Sequence, residues 1–249
     1  MHGSDGWCRS YRTLRFEAYE PRLLLSVQLP GDFQPGHFVE TTPLETTLLG
    51  LDQAHQSTGL AEARLEYDFD GAGQTVAVID SGIAWDHLAL GGGLGTSYRV
   101  VGGFDFTEER DADPYDDGPY GAHGTHVAGI IGGGDGLHTG VAPGVDLVGL
   151  RVFNDDGQGY FQWVEEALDW VHDHRFDFAT PITTVNLSLG TDFNDDTVPG
   201  WATLEDELAQ LYDDGIFVAV AAGNGFQSYN EPGLSYPAVS PYVVPVASV

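Results

Sequence analysis

The sequence predicts one α/β domain built on a parallel β-sheet with helices on both faces. Apolar runs rich in β-branched residues alternate with stretches whose apolar residues recur at helical spacing, and no linker divides the apolar strands. The 249 residues can form one sizeable hydrophobic core. Because 42% of the residues are hydrophobic and 12% are aromatic, the composition is that of a globular protein.

Six apolar runs are predicted to form the strands. The run Thr75–Ile79 is almost entirely β-branched, which is typical of a strand buried on both faces of a sheet. The other predicted strands begin near Arg99, cover Val145–Phe153, Ile182–Leu187 and Ile216–Ala222, and begin again at Tyr242.

Two amphipathic stretches and one stretch of small residues predict the helices between these strands. The first helix presents Phe161, Val164, Leu168 and Val171 on one face. The second is expected to open at Thr203, with Asp206 as a capping-box-like partner and Gly215 at its end. Its predicted buried stripe is Leu204, Leu208 and Leu211. A helix rich in small residues is expected to begin at His123.

The chain before the first strand divides into two predicted parts. Residues 1–43 contain several Pro and Gly residues without a sustained period, and we interpret them as a poorly ordered N-terminal extension or leader. Residues 44–249 form the domain, with a short helix around Leu51–Gln56 and a connector over Gly59–Gly73. The stretch Phe16–Ser26 resembles a leader of large secreted bacterial proteins, which favours an extracellular location. With a single cysteine, Cys8, the chain forms no internal disulfide.

Charge limits the partners that this chain can have. The formal net charge is −29, and all nine basic residues are Arg. Such a surface repels nucleic acid and anionic membranes, so we expect neither as a partner. No apolar run reaches the length of about 18 residues that a membrane span needs. We interpret the acidic residues as a solvent-exposed surface suited to high salt or to calcium. The alternative interpretation is that this surface steers basic substrates toward the protein.

Polar residues follow three of the predicted strands directly. Asp80 follows Ile79, the segment Ser188-Leu189-Gly190 follows Leu187, and Asn224 follows Ala222-Gly223. In parallel sheets the ligand binds beyond the carboxyl ends of the strands, so these residues are expected along one edge. His123 opens the helix of small residues, which can pack close to the sheet and bring the imidazole near this edge.

Taken together, these motifs resemble the subtilase family of serine proteases. The resemblance is carried by Val76–Ile83, His123–Ile131, Asn186–Gly190 and Ala221–Asn224, and it extends from about Leu48 to the end of the chain. It implies a subtilisin-like, three-layer α/β/α fold and a serine-type endopeptidase acting on protein or peptide substrates. It also implies a monomer that needs no cofactor for its chemistry.

The resemblance assigns a role to each of the motif residues. Asp80 would orient the imidazole, His123 would act as general base and then as general acid, and Asn224 would donate a hydrogen bond to the developing oxyanion. The segment Ser188-Leu189-Gly190 would pair with the substrate backbone. Ser235 would form part of the primary specificity pocket, where its small size leaves room for a large apolar or aromatic side chain of the substrate. Nearby Glu231 would instead favour a basic side chain.

The nucleophile is the part of the family pattern that this sequence does not show. The family places it in a Gly-Thr-Ser-x-Ala turn, and none of the eleven serines lies in that context. We therefore expect the nucleophilic serine beyond Val249 and the fold to be incomplete at its C-terminus. The alternative is a non-catalytic relative that keeps the peptide-binding edge and lacks hydrolysis.

Metal binding is the remaining question that the sequence raises. His126 lies three residues after His123, but a pair of histidines without a third ligand is a weak metal motif, and we expect His126 to be a packed helix residue. Structural calcium is kept as an open alternative, because calcium prefers several loop oxygens. The candidate clusters are Asp111, Asp113, Asp116 and Asp117, then Asp155 and Asp156, then Asp192, Asp195 and Asp196.

Overall fold

The computed structural model describes residues 13–15, 55–56, 58–118, 122–136 and 139–247. The strands are β1 (Thr13–Arg15), β2 (Thr75–Asp80), β3 (Val100–Asp105), β4 (Asp146–Arg151), β5 (Gln158–Tyr160), β6 (Ile182–Leu187), β7 (Phe217–Ala221) and β8 (Val244–Val246). The helices are α1 (Leu60–Tyr67), α2 (His123–Gly132), α3 (Phe161–His174), α4 (Glu205–Asp213) and α5 (Gly225–Tyr229), with a 3₁₀ turn at Leu88–Leu90.

Six of the strands form one sheet in the order β3-β4-β2-β6-β7-β8, and every neighbouring pair is parallel. Strand β2 lies inside the sheet, and all six of its residues are buried. Its register pairs Asp80 with Arg151 at the carboxyl end of β4. The parallel sheet predicted from the alternation of strands and helices is therefore confirmed.

Alternate residues of β2 contribute to two separate hydrophobic cores, one on each face of the sheet. Val76 and Val78 pack in the core that includes Ala128 of α2. Ala77 and Ile79 pack in the core that includes the buried faces of α3 and α4. Because successive strand residues point to opposite faces, helices cover both sides and the predicted three-layer α/β/α arrangement is confirmed.

Helix α3 follows the amphipathic prediction, since its buried residues are Val164, Ala167, Leu168 and Val171. Helix α4 begins two residues later than predicted. Its N-terminal flanking residue is Leu204, whose own side chain provides no cap, so the capping box expected from Thr203 and Asp206 is wrong. The N–H of Leu204 instead donates to the Tyr236 hydroxyl at 2.8 Å, a partner distant in the sequence.

The end of α4 agrees with the prediction for Gly215, which adopts the left-handed conformation with φ 76°. Its N–H donates to the carbonyl oxygen of Tyr212 at 3.0 Å, and the N–H of Ile216 donates to that of Leu211 at 3.0 Å. This pair of bonds is a Schellman motif, which a glycine at this position favours.

Two described segments before β2 differ from the predictions. Residues 60–67, expected within a connector, form α1, and the Arg64 guanidinium donates to the carbonyl oxygens of Gly140 and Val141. Strand β1, within the predicted extension, pairs antiparallel with β5. The other residues of 1–43 and the first part of the helix predicted at Leu51–Gln56 lie outside the described residues.

Candidate active site

The carboxyl ends of the central strands bring the predicted site residues to one edge of the sheet. Asp80 is the last residue of β2, and β6 and β7 end just before the Ser188 segment and Asn224. Asp80 has the strand parity of Val76 and Val78, so its side chain lies on the α2 face. The Nδ1 atom of His123, the first residue of α2, lies 2.7 Å from the Oδ1 atom of Asp80.

The Asp80 carboxylate is completely buried. Its Oδ1 atom also accepts the N–H of Ser81 at 2.7 Å, and its Oδ2 atom has no hydrogen-bond partner within the described part of the chain. Burial raises the pKa of Asp80, and the hydrogen bond and charge of His123 act in the opposite direction. A poorly solvated carboxylate is therefore directed at one nitrogen of the imidazole.

The His123 side chain is 25% exposed, in contrast to its fully buried partner. Burial lowers the pKa of His123, but the hydrogen bond and charge of Asp80, with the charge of Asp116, outweigh burial and raise this pKa above its ordinary value. Since Nδ1 faces Asp80, Nε2 is the nitrogen that can exchange a proton with a reacting group. This arrangement suits a general base with an oriented ring.

Helix α2 reaches Asp80 because glycines line its contact with the end of β2. A Cβ atom on Gly124 would press on the carbonyl oxygen of Gly82 and lie 3.1 Å from the Cβ of Asp80. The N–H of Gly124 donates to the Ser81 hydroxyl at 2.9 Å. The small residues of this helix thus permit the close approach that the sequence predicted.

Gly190 of the predicted substrate-binding segment and Gly223, the residue before Asn224, lie close to Ser235 beyond the carboxyl ends of β6 and β7. A Cβ on Gly190 would lie 2.6 Å from the Ser235 Oγ atom, and one on Gly223 would lie 2.6 Å from its Cβ. Ser235 is therefore inserted between the Ser188–Gly190 segment and the residue that precedes Asn224. Asn224 itself is exposed and immediately precedes α5.

Three described serines lie in or near a family motif, Ser81, Ser97 and Ser188, and none of them fits the role of nucleophile. The nearest match to the family turn is Gly95-Thr96-Ser97, but it precedes β3 and therefore lies at the amino edge of the sheet, opposite Asp80. The Ser188 hydroxyl accepts a hydrogen bond from the Asn186 side chain at 3.0 Å within the predicted substrate-binding segment. The Ser81 hydroxyl is engaged with α2, as described above.

The sequence analysis did not single out Arg151, the last residue of β4. Its side chain is buried and forms ion pairs with Asp105, Asp117 and Asp155. Two of these carboxylates belong to the clusters considered for calcium, so a cation of the chain itself already faces them. The signal that could have revealed Arg151 is a charged residue at the carboxyl end of a strand whose preceding residues, 147–150, are uncharged and buried.

Among the described residues, no three His, Cys, Asp or Glu side chains converge where a metal ion could bind. The described geometry of the acidic clusters therefore gives no support to structural calcium, which stays a prediction. His126 lies on the exposed side of α2, so the expectation that it packs is wrong.

A parallel sheet covered by helices on both faces thus carries a buried carboxylate–imidazole pair at its carboxyl edge. A histidine oriented in this way is typical of the class of enzymes that activate a nucleophile. The sequence model of the subtilase family matches residues 71–249, which include both members of the pair. The chain belongs to the subtilase family.

The similar proteins are subtilisins and related proteases. Subtilisin DY of Bacillus licheniformis is 31% identical over 183 residues, covering 73% of this chain and 58% of its own. Alkaline serine exoprotease A of Vibrio alginolyticus is 35% identical over 175 residues, covering 70% and 28%. The crystal structure of a cold adapted subtilisin-like serine proteinase, 34% identical, matches with a TM-score of 0.53, covering 72% of this chain and 55% of that one. The chain thus spans less than two thirds of the curated relatives that it matches.

Proposed function

We propose that this domain belongs to a serine endopeptidase that hydrolyses peptide bonds in protein or peptide substrates. The observation that carries the proposal is that the completely buried carboxylate of Asp80 contacts His123 Nδ1 at the carboxyl edge of the sheet. Membership of the subtilase family supports it, because the relatives that match are named as subtilisins and serine proteases.

In the proposed reaction Asp80 keeps the proton of His123 on Nδ1, so that Nε2 is the nitrogen that accepts a proton. Nε2 removes the proton from a serine hydroxyl while the serine oxygen attacks the substrate carbonyl carbon. The resulting imidazolium gives this proton to the leaving amine, and a water molecule then repeats the sequence on the acyl-enzyme. The carboxylate of Asp80 stays ionised and stabilises the imidazolium.

Asn224 is proposed to donate its side-chain N–H to the oxyanion of the tetrahedral intermediate. One such donor contributes about 2.7–4 kcal/mol to the stability of the transition state. The support is positional, since Asn224 follows the carboxyl end of β7, where parallel sheets place their ligands.

The substrate is proposed to lie as an extended strand along Ser188-Leu189-Gly190, with its primary side chain near Ser235. The support is the close packing of Ser235 between Gly190 and Gly223. Gly190 belongs to the proposed substrate-binding segment, and Gly223 directly precedes Asn224, the proposed oxyanion donor. Strand addition uses backbone hydrogen bonds, so it accepts many sequences.

The nucleophile of the proposal is a serine in a Gly-Thr-Ser-x-Ala turn, which none of the serines in the 249 residues provides.

The protein is proposed to be extracellular and monomeric. Within the described ranges, no helix has both the length and the hydrophobicity to cross a bilayer. The net charge of −29 supports the proposal that nucleic acid is not a partner.

The test uses the complete open reading frame that encodes these residues. Its protein is expected to contain the nucleophile turn, to be labelled by a fluorophosphonate at that serine and to hydrolyse casein. His123→Ala is expected to lower the labelling rate at least about 10³-fold. The matched control is His126→Ala, which removes an exposed imidazole from the same helix and should leave labelling unchanged.

Two results would contradict the proposal. Equal loss of labelling in both histidine variants would show that His123 has no special part in activating the nucleophile. A folded protein that binds peptides without labelling or hydrolysis would instead support the non-catalytic alternative.

A further inference from the structure

Asp116 is not one of the predicted catalytic residues, yet its carboxylate accepts hydrogen bonds from the beginning of the helix that carries His123. Its Oδ2 atom accepts the backbone N–H of Ala122 at 2.8 Å and the backbone N–H of Thr125 at 3.1 Å. It also accepts the Thr125 hydroxyl at 2.6 Å. Three donors thus converge on one oxygen of a residue that is 8% exposed.

This support matters because α2 begins in an unfavourable conformation. Ala122, the residue before His123, has φ 81° and ψ −9°, and its side chain provides no cap for the helix. A non-glycine residue in the left-handed region costs about 1–2 kcal/mol. Asp116 supplies the missing cap from six positions upstream and satisfies N–H groups that the first turn leaves unpaired.

The same carboxylate connects α2 to the chain that follows Asp80. While its hydroxyl donates to Asp116, the Thr125 Oγ1 atom accepts the backbone N–H of Ala84 at 2.8 Å. Ala84 lies four residues after Asp80. The segment after β2, the loop containing Asp116 and the first turn of α2 are therefore joined by one hydrogen-bond network.

Asp116 also contributes a buried negative charge to this region. Its Oδ1 atom is buried and has no hydrogen-bond partner among the described residues, whereas its Oδ2 atom accepts the three donors named above. Two charged groups act on His123: Asp80 from β2 and Asp116 from the loop before α2, and both raise the pKa of the imidazole. The positive end of the α2 helix dipole opposes a charged imidazole at the first helical position.

We propose that Asp116 is a positioning residue for the peptidase reaction, which fixes His123 against Asp80 and stabilises the imidazolium that forms when His123 accepts a proton. This inference rests on the proposed function. It assigns to one carboxylate two separable contributions: acceptor geometry for the first turn of α2, and negative charge near the ring.

Two substitutions separate these contributions. Asp116→Asn keeps an oxygen acceptor of the same shape and removes the charge, whereas Asp116→Ala removes both. The control is Asp156→Asn, which removes an exposed carboxylate elsewhere on the surface. Each variant is made in the complete open reading frame, and His123 is titrated by the NMR signals of its ring.

Asp116→Asn is expected to lower the pKa of His123 and to move the acid limb of kcat/KM to lower pH, with kcat on the plateau reduced less than about tenfold. Asp116→Ala is expected to reduce kcat about 10²-fold with little change in KM, because a displaced imidazole is costly. Asp156→Asn should change neither the titration nor kcat.

The inference is overturned if Asp116→Asn and the Asp156→Asn control give the same His123 titration and the same pH profile. If Asp116→Ala does not fold, the asparagine variant alone still decides the question. The NMR titration needs no hydrolysis. A protein without peptidase activity whose His123 still responds to Asp116→Asn would refute the proposed function and leave the effect of Asp116 on the imidazole standing.

Discussion

In the part of the chain that the structure describes, two aspartate–histidine contacts of nearly equal length lie in different surroundings. Asp80 Oδ1 lies 2.7 Å from His123 Nδ1, and Asp214 Oδ2 lies 2.6 Å from His172 Nδ1. The second contact joins the last turn of α3 to the residue after α4, near the amino edge of the sheet. A short distance is therefore common to both contacts and cannot distinguish a catalytic pair.

Burial and competing cations distinguish the two contacts. The Asp80 side chain is completely buried, whereas the side chains of His172 and Asp214 are 30% and 14% exposed. Asp214 is also shared with Arg175, whose guanidinium lies 3.1 Å from its other oxygen. An oriented and poorly solvated carboxylate raises the proton affinity of its histidine. A partly hydrated carboxylate that already faces an arginine mainly holds two helix ends together.

The largest difference is expected when each aspartate is replaced by asparagine. Asp80→Asn should lower kcat for a peptide substrate about 10⁴-fold, because the wrong imidazole tautomer is then favoured. Asp214→Asn should leave kcat unchanged. Steady-state assays on the complete open reading frame measure both values. A similar loss in the two variants would show that the surroundings do not decide which pair is catalytic.

A smaller but still clear effect is expected from moving His123 without altering it. Gly124→Ala places a methyl group against the Gly82 carbonyl and should push α2 away from Asp80, lowering kcat about 10²-fold. Gly129→Ala on the same helix meets no atom within 4 Å and should keep full activity while adding about 0.5–1 kcal/mol of stability. Equal activity of the two alanine variants would show that close approach of the helix is not required.

The smallest effect is expected for stability at the second contact. Asp214→Asn should lower the free energy of unfolding by about 0.2–1 kcal/mol, because its partners are partly hydrated. The loss should shrink at high salt, where exposed charges are screened. Urea unfolding at two salt concentrations measures it. A large loss that is independent of salt would show that this contact behaves as a buried pair.

The sequence predicted the parts of the molecule that follow from local pattern and from sheet geometry. β-Branched runs identified β2 as a buried strand, and the carboxyl-end rule placed Asp80 at the functional edge of the sheet. The small residues of the next helix predicted that His123 would approach the same edge. The catalytic roles of both residues and of Asn224 stay predictions, and so do the domain boundary at residue 44 and a structural calcium ion.

The parts that sequence reasoning missed depend on partners distant in the chain. The capping box at Thr203 is wrong because the Tyr236 hydroxyl satisfies the N–H of Leu204. Helix α1 was not predicted because it has no buried residue, so no apolar period marks it. Asp116 was considered only within an acidic cluster, since no local pattern connects it with Ala122.

The alternation along β2 makes the site unusually sensitive to changes in chain length. Val76, Val78 and Asp80 point to one side of the sheet, and Ala77 and Ile79 point to the other. Removing one codon within this strand would shift the residues on one side of the deletion by one position. The side chains of those residues would then point to the opposite face of the sheet. The carboxylate would then turn away from the imidazole into an apolar layer. Frame-preserving deletions here should therefore be tolerated far less well than most point substitutions.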